Sequence, residues 1–242
     1  MGRCLDQKDG CGRLSEAVLT MLRESNVSDA QVVKFYRDHP FPDFDINKYE
    51  TAEDLEDRAS WYFKLLDAYI PENSSVIEIG CGTGQLVNFL ALKPNRQITG
   101  LDLSDVSLDK ARQLRDKLQL KNLSLTRGSL FDLDPDKIGT FDYTFCNGVL
   151  HHTDRPYEGF QSILRVVKPS GFVVVGYYNG IARIPLRIAR AGLRKDHEYS
   201  LEDKRHYLEK LFTVTEFDSF QIDSWFADQF EHPREHVVSV PE

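Results

Sequence analysis

The chain has 242 residues, of which 41% are hydrophobic and 28% charged, as expected for a globular protein with one α/β domain and an extension. Its formal net charge of −8 and its pI near 5.4 argue against nucleic acid as a main partner, because phosphate binding needs a concentrated basic surface. The sequence contains no apolar run typical of a transmembrane span or a signal peptide. Its four cysteines lack C-x-x-C spacing, which favours a reduced, cytoplasmic setting.

The first 70 residues predict a flexible leader followed by a helical cap. Residues 1–13 are rich in glycine and charge, and helical spacing of apolar residues follows over Leu14–Leu22. Pro40 and Pro42 prevent a helix in the aromatic stretch FYRDHPFPDF. In AEDLEDRASWYFKLLDAYI the apolar residues recur every three to four positions, which predicts one further helix.

An alternation of strands and helices begins at Ser75 and continues to Tyr178. Short β-branched runs such as SVIEIG, QITGLDLS and GFVVVGYY alternate with amphipathic stretches such as VSLDKARQLRDKLQL. This pattern predicts five strands in a doubly wound, mostly parallel sheet of the α/β class. We therefore expect a cap over 1–70, a sheet core over 71–180, and a helical C-terminal extension of the same domain over 181–242.

The segment 181–195 is rich in arginine. Isoleucines and leucines separate its basic side chains, which are Arg183, Arg187, Arg190, Arg194 and Lys195. The pattern predicts an amphipathic helix, and a solvated charged face is favoured over contact with an anionic membrane surface or a negatively charged substrate.

Three glycines directly follow the first predicted strand, in VIEIGCGTGQL. At Gly80, Gly82 and Gly84 the chain must turn tightly and approach a ligand closely. A Walker phosphate loop is excluded because its lysine and its spacing are absent. A dinucleotide site is disfavoured because its third glycine would fall at Gln85.

Two carboxylates point to the ligand that this turn holds. Glu78 precedes the turn by two residues, which suits a cationic or zwitterionic ligand better than a phosphate. Asp102 ends the second predicted strand, where a carboxylate can accept both hydroxyls of a ribose. A nucleoside without a phosphate, carrying an amino acid and a positive charge, matches S-adenosylmethionine.

The successive motifs VIEIGCGTGQL, ITGLDLS, FDYTFCNGVLHHTDRP and ILRVVKPSGFVVVGYYN resemble those of class I S-adenosylmethionine-dependent methyltransferases. The resemblance covers Val76 to Asn179, and the most similar subgroup comprises the ubiquinone and menaquinone biosynthesis methyltransferases. It implies a Rossmann-like methyltransferase fold, with methyl transfer to an O, C or N atom of a small-molecule acceptor. The C-terminus is expected to be atypical or incomplete, because FTVTEF is the best fragment for the antiparallel strand pair that usually closes such a sheet.

The resemblance also implies the roles of individual residues around the cofactor. The ammonium group would contact the Gly80 carbonyl or the Glu78 carboxylate, Asp102 would hold the ribose, and Leu103 would pack on the adenine. Ser129 stands where the family often has an aspartate for the adenine amino group. The complete implied set is Glu78, Gly80, Cys81, Gly82, Gly84, Gln85, Asp102, Leu103, Ser129, Leu130 and Asn147, the last facing the sulfonium and the substrate.

The sequence gives fewer indications of the residues that contact the methyl acceptor. His151 and His152 follow the fourth predicted strand, and either one is a candidate to take a proton from the acceptor or merely to orient the loop. Methyl transfer needs chiefly alignment, so a base is dispensable. Further candidates for contact with the substrate are Tyr36, His39, Tyr177, Tyr178 and Arg183. Tyr36 and His39, with Phe41 and Phe44, would form either an aromatic lid or a plain hydrophobic cluster.

Several alternatives stay open at this stage. Arg58 either reaches the methionine carboxylate or is a solvated helix residue. His232, Glu235 and His236 spell H-x-x-E-H, but Pro233 disfavours the zinc helix that this motif requires, and no metal is expected. A methyltransferase acting on tRNA or protein, a dehydrogenase, and a non-catalytic S-adenosylmethionine-binding module are the remaining functional alternatives.

Overall fold

The computed structural model describes residues 29–193, 197–212 and 218–234. Several predictions lie wholly or mainly outside these ranges. They concern the helix Leu14–Leu22, all but the first residue of FTVTEF, Arg194 and Lys195, and the second half of the H-x-x-E-H motif.

The cap contains helices α1 (Asp29–Asp38), α2 (Ala52–Arg58) and α3 (Trp61–Tyr69), with a 3₁₀ turn at Ile46–Lys48. The prediction of one continuous helix over the last two was wrong. Ala59 is extended, and the Ser60 hydroxyl accepts the N–H of Phe63 at 3.2 Å. This side-chain cap begins a new helix and turns the chain between α2 and α3.

The five predicted strands are confirmed. They are β1 (Ser75–Ile79), β2 (Gln97–Asp102), β3 (Leu123–Arg127), β4 (Phe141–Asn147) and β5 (Val167–Gly176). All neighbours are parallel, in the order β3-β2-β1-β4-β5. From β1 the chain adds β2 and β3 on one side of the sheet and then β4 and β5 on the other. Ligand crevices in such sheets lie at this switch point between β1 and β4.

Helices cover both faces of the sheet. The connections are α4 (Gln85–Leu90), α5 (Asp105–Lys117), α6 (Pro135–Ile138) and α7 (Pro156–Leu164), with 3₁₀ turns at Leu130–Asp132 and Leu150–His152. Val76 and Phe145 belong to one buried cluster, whereas their neighbours Ile77 and Cys146 belong to another. Alternate side chains of each strand thus face opposite cores, which confirms the doubly wound α/β class.

The described part of the chain after residue 180 contains helices. It contains α8 (Ile184–Gly192), α9 (Leu201–Phe212), α10 (Ser219–Phe226) and a π-helical turn at Ala227–Glu231. These elements share a third buried cluster formed by Leu186, Leu208, Ile222, Phe226 and Phe230.

The orientation of α8 differs from the predicted solvated charged face. Arg183 is only 7% exposed, whereas Ile184 is 50% exposed and Ile188 is 61% exposed. Arg190 donates from its guanidinium to the carbonyl of His232 at 2.6 Å. Arg183 and Arg190 therefore hydrogen-bond to the rest of the protein, and the solvent-facing surface of α8 carries the apolar side chains of Ile184 and Ile188.

The cap contacts the C-terminal extension directly. The backbone N–H of Asp43 donates to Oγ of Ser224 at 2.9 Å, and Nζ of Lys48 pairs with Asp218 at 2.5 Å. The division at residues 70 and 180 stays a prediction. Among the described helices, none has the length and apolar character needed to cross a bilayer.

Candidate functional site

One cavity of about 980 Å³ lies beyond the carboxyl ends of β1, β2 and β4. Three parts of the chain form its wall. The sheet loops contribute the glycine turn and Asp102, the cap contributes Tyr36 and Phe41, and the C-terminal extension contributes Trp225 and Asp228. The cavity therefore depends on contacts between the two ends of the described chain.

The glycine turn is shaped by close backbone contacts. The N–H groups of Gly80 and Cys81 both donate to the carbonyl of Leu101, at 2.7 and 3.0 Å. Gly80 has a φ of +74°, and a Cβ there would lie 2.2 Å from a methyl carbon of Val149. Only glycine fits this position, because a side chain would be strained and would collide with the loop after β4.

Asp102 joins the turn after β1 to the loop after β2. One carboxylate oxygen accepts the N–H of Gly82 and the other accepts the N–H of Ser104, each at 2.8 Å. Burial raises the pKa of Asp102, while these backbone hydrogen bonds oppose the rise. A carboxylate offers about four acceptor positions, and Asp102 lines the cavity, so it can still accept a hydroxyl of a diol such as a ribose.

Glu78 has a buried carboxyl oxygen, Oε2, for which the described residues provide no hydrogen-bond partner. Burial, and next the charge of Asp102, raise the pKa of Glu78 to about 8. A buried polar atom is normally hydrogen-bonded, and Glu78 lines the cavity. These observations fit a carboxylate that completes its bonding with a cationic ligand group.

A second group of polar side chains lies near Glu78. Burial raises the pKa of Tyr62, the nearby Asn147 side chain opposes that rise, and the Glu78 charge adds to it. Arg58 also lines the cavity, and its Nε donates to the carbonyl of Lys48 at 3.2 Å. Arg58 therefore borders the cavity while remaining exposed to solvent at the end of α2.

The adenine side of the implied site is open and partly apolar. Leu103 lines the cavity and is 42% exposed, so its side chain is available to a flat ligand. Ser129 and Leu130 line the same wall. The Ser129 hydroxyl accepts the N–H of Phe131 at 3.1 Å, so this residue caps the following 3₁₀ turn.

The structure brings together a polar cluster that the sequence did not reveal, named here the Asp228 cluster. Its members are Tyr36, Tyr178, Arg183, Asp228 and Gln229, and all five line the cavity. Tyr36 donates to Oδ1 of Asp228 at 3.1 Å, while Tyr178 and Gln229 donate to Oδ2 at 3.4 and 2.7 Å. Arg183 donates to the Gln229 side chain, and its guanidinium lies 3.8 Å from the centre of the Tyr178 ring.

The two candidate histidines have different environments. His152 lines the cavity, and its Nδ1 lies 2.7 Å from the carbonyl oxygen of Arg234. Because a carbonyl only accepts, Nδ1 carries the proton and Nε2 is the acceptor nitrogen. His151 is buried behind the wall, with its ring stacked 3.7 Å from Tyr178, and it does not line the cavity.

Three further predicted residues do not line the cavity. Gly84 caps α4, where a Cβ would lie 2.5 Å from Ala111. His39 is exposed just beyond α1 and contacts Phe35 with ring centres 5.0 Å apart. Tyr177 packs in the core below the sheet edge, because consecutive residues after β5 face opposite sides. The other implied cofactor residues all line the cavity.

The predicted aromatic lid is divided between two roles. Tyr36 and Phe41 line the cavity, whereas Phe44 is 1% exposed and belongs to the hydrophobic core. The backbone near Phe41 rests on the glycine turn, because the N–H of Thr83 donates to its carbonyl at 3.3 Å.

The H-x-x-E-H motif is only partly described. The π-helical turn ends at Glu231, so His232 lies outside it, with its ring 3.8 Å from that of His152. Burial lowers the pKa of His232 well below its usual range. No group of three or more potential metal-binding side chains occurs within the described ranges.

Comparisons with known proteins agree on one family. A family model described as a methyltransferase domain matches residues 70–228. A ubiquinone biosynthesis O-methyltransferase of Albidiferax ferrireducens is 27% identical over 146 residues, covering 60% of this chain and 56% of that protein. An uncharacterized protein of Rickettsia prowazekii is 41% identical over 109 residues, covering 44% of this chain and 20% of the relative.

The chain spans less than half the length of several relatives. An uncharacterized protein of a Synechococcus strain is 26% identical over 183 residues, which are 66% of this chain and 42% of the relative. The structure of PKMT2 from Rickettsia typhi shares the fold with a TM-score of 0.54 at 22% identity, covering 69% of this chain and 36% of that one.

Proposed function

Since the chain belongs to the methyltransferase domain family of class I S-adenosylmethionine-dependent enzymes, we propose that it transfers a methyl group from S-adenosylmethionine to a small-molecule acceptor. One observation carries this proposal. Asp102 and the unpaired oxygen of Glu78 line the same cavity as the glycine turn, at the switch point of the sheet. A single bound ligand could therefore donate its ribose hydroxyls to Asp102 and its ammonium group to Glu78.

The chain's own residues would hold the cofactor at three points. Glu78, or the Gly80 carbonyl, would accept the ammonium group, and Asp102 would accept the ribose hydroxyls. Leu103 would pack on the adenine, with Ser129 and Leu130 beside it. Asn147 would face the sulfonium and the acceptor.

When bound, the cofactor supplies an electrophilic methyl group on a positively charged sulfur. The protein's contribution is then to hold the acceptor atom in line with that methyl group and to exclude water. Of the two candidate histidines, His152 is the one proposed to contact the acceptor, because it lines the cavity and its Nε2 is an acceptor. His151 supports the wall through its stacking on Tyr178.

The charges of the cavity favour a small molecule over nucleic acid. Its carboxyl and guanidinium side chains, within the described chain, are Arg58, Glu78, Asp102, Arg183 and Asp228. The two arginines lie among three carboxyl groups, so the described wall offers no basic strip for a phosphate backbone. A methyltransferase acting on protein, a dehydrogenase and a non-catalytic binding module remain outcomes of the tests.

The test is calorimetric titration of the whole chain with S-adenosylhomocysteine, with NAD as the comparison ligand. We expect micromolar binding of the first and no binding of the second. Binding of NAD alone would establish a dinucleotide site and overturn the proposal. Binding of S-adenosylhomocysteine without transfer to any compound of a broad metabolite panel would favour a non-catalytic module.

We also propose a cytoplasmic location, on the basis of the free, buried thiols of Cys81 and Cys146. Contact of segment 181–195 with a membrane surface is a secondary proposal, supported by the exposed side chains of Ile181, Ile184 and Ile188. Co-sedimentation with anionic vesicles tests it, since an Ile184→Ser, Ile188→Ser variant should then lose binding.

A further inference from the structure

The Asp228 cluster is a buried polar site that the cofactor roles above do not use. Asp228 and Gln229 are each only 4% exposed and Arg183 only 7% exposed, yet all three line the cavity. Buried charged groups are retained where they are paired and hydrogen-bonded. Asp228 is thus a buried carboxylate in the wall of the space in which an acceptor would lie.

The hydrogen bonds define what this carboxylate can still bind. A carboxylate offers about four acceptor positions. Tyr178 and Gln229 together use Oδ2, whereas Tyr36 is the single donor to Oδ1. Among the described residues Oδ1 therefore has a remaining position, which accepts hydrogen bonds only, so a ligand group that binds there must be a donor.

Charge distinguishes between the possible donors. The positive charge of Arg183 acts on Asp228 and favours its ionised form, so a second cation is not needed for neutrality. An ammonium ion held by a carboxylate keeps its proton and has no lone pair with which to attack a methyl group. A hydroxyl group donates a hydrogen bond and still presents oxygen lone pairs.

The cluster also adjoins the proposed cofactor position. The phenol of Tyr36, which donates to Asp228, is acted on by the charge of Asp102 as well. The backbone carbonyl of Tyr36 accepts the hydroxyl of Ser104 at 3.3 Å, next to the residues that would hold the ribose. Tyr36 thus lies between the proposed ribose acid and Asp228.

We propose that the Asp228 cluster is the acceptor site, that the acceptor is a neutral hydroxyl compound, and that Asp228 takes its proton during transfer. This inference rests on the proposed methyltransferase function. The acceptor oxygen forms its bond to the methyl carbon, and the sulfur keeps the electron pair of the broken S–C bond. The hydroxyl proton passes to Asp228, so atoms and charge balance without any oxidant or further reactant.

The test uses the whole chain saturated with S-adenosylhomocysteine, with phenol as the probe and NMR titration as the measurement. Phenol should bind saturably, with roughly millimolar affinity for a ligand of this size. Only the ionised carboxylate accepts the full hydrogen bond, so affinity should rise with pH through about 6, the value to which burial raises the pKa of Asp228. The groups acting on Asp228 are Tyr36 from α1, Tyr178 after β5 and Arg183 before α8.

Two variants make the test specific. Asp228→Asn keeps the shape but removes the charge, and should weaken phenol binding about tenfold and abolish its pH dependence. Tyr36→Phe removes a hydrogen bond that lowers the pKa of Asp228, so the midpoint of the pH profile should move upward. The matched control is Asp223→Asn, because Asp223 lies on α10 with its carboxylate 56% exposed and paired with Lys204.

The outcomes separate this inference from the proposed function. If S-adenosylhomocysteine fails to bind, both are overturned. If it binds but phenol does not saturate, or binds equally to the wild type and Asp228→Asn, the inference alone is overturned. Tighter binding of benzylamine than of phenol would overturn the hydroxyl class. An unchanged pH midpoint in Tyr36→Phe would overturn the role of Asp228, even if Asp228→Asn fails to fold.

Discussion

The carboxylate of Asp102, at the end of β2, accepts the backbone N–H of Gly82, in the turn after β1, at 2.8 Å. Its other oxygen accepts the N–H of Ser104 at the same distance. One acidic side chain thus fixes two loops relative to each other and also borders the cavity. The proposed ribose contact and the geometry of the glycine turn therefore depend on the same residue.

Asp102→Ala should weaken the binding of S-adenosylhomocysteine roughly 100-fold, because hydrogen bonds to a charged acceptor contribute about 1.5–3 kcal/mol each. Calorimetry measures this change, and thermal unfolding shows whether the variant is folded. Asp105→Ala is the matched control, since Asp105 lies nearby at the start of α5 in an exposed pair with Arg127. Unchanged affinity in the folded Asp102 variant would contradict the ribose assignment.

Cofactor binding should release a proton from Glu78 at pH 7. The pKa of Glu78 is raised to about 8, so the carboxyl is mostly protonated at pH 7 before the ligand binds. An ammonium group beside it favours the carboxylate and lowers its pKa. Titrations with S-adenosylhomocysteine in phosphate and in Tris should therefore give different enthalpies, with close to one proton released.

Glu78→Gln should remove this dependence on the buffer. Glu72→Gln, which changes an exposed carboxylate that accepts from Asn95, should retain it. The same enthalpy in both buffers for the wild type would show that the ammonium group lies elsewhere, and the Gly80 carbonyl would then be its remaining acceptor.

Gly82→Ala should destabilise the contact between the cap and the glycine turn. A Cβ at this position would lie 2.2 Å from the backbone carbonyl oxygen of Phe41, and Thr83 bonds the same segment through Pro42 O at 2.5 Å. We expect a loss of roughly 3 kcal/mol in the free energy of unfolding.

Gly148→Ala is the comparison for this measurement by urea denaturation. Gly148 also has a positive φ, of +74°, but apart from its chain neighbours no atom of the described residues lies within 4 Å of a Cβ there. It should therefore show only the strain of the left-handed backbone, about 1–2 kcal/mol. Equal losses in the free energy of unfolding of the two variants would mean that the segment at Phe41 moves aside at no energetic cost.

Asp67→Asn should destabilise the connection between α3 and β2. The side chain of Arg96 is 3% exposed and pairs with Asp67 at 2.5 Å. Removing the carboxylate takes away the counter-charge of a buried guanidinium and leaves it the carbonyls of Asp67 and Ile70 as acceptors; the variant should lose about 3 kcal/mol in the free energy of unfolding. Asp109→Asn, which removes an exposed pair with Arg112, should cost under about 0.5 kcal/mol; similar losses would contradict the argument.

The sheet, and the position of the glycine turn and Asp102 at one end of it, were predictable because their signals are local. Each strand is a short β-branched run. Gly80 directly follows β1, and Asp102 is the last residue of β2. The break between α2 and α3 was missed because Ser60 reads as one polar residue within a continuous apolar pattern. The apolar pattern continues across this position, and only the capping hydrogen bond of Ser60 marks the start of the new helix.

The acceptor side was only partly predictable, because its members are distant in sequence. The bond between Tyr36 and Asp228 joins residues 192 positions apart, and no local pattern marks Asp228 or Gln229. The histidine pair shows the same limit. His151 and His152 are adjacent, and only the three-dimensional packing determines which of the two reaches the cavity.

The same 192-residue separation has a consequence for the order of events during synthesis. A nascent chain that has reached Gly176 carries every strand of the sheet, but the wall formed by Trp225 and Asp228 has not yet been translated. Until Asp228 has been synthesised, the cavity lacks that part of its wall. The five strands can therefore assemble before the cavity is complete, and the hydrogen bond between Tyr36 and Asp228 forms only afterwards.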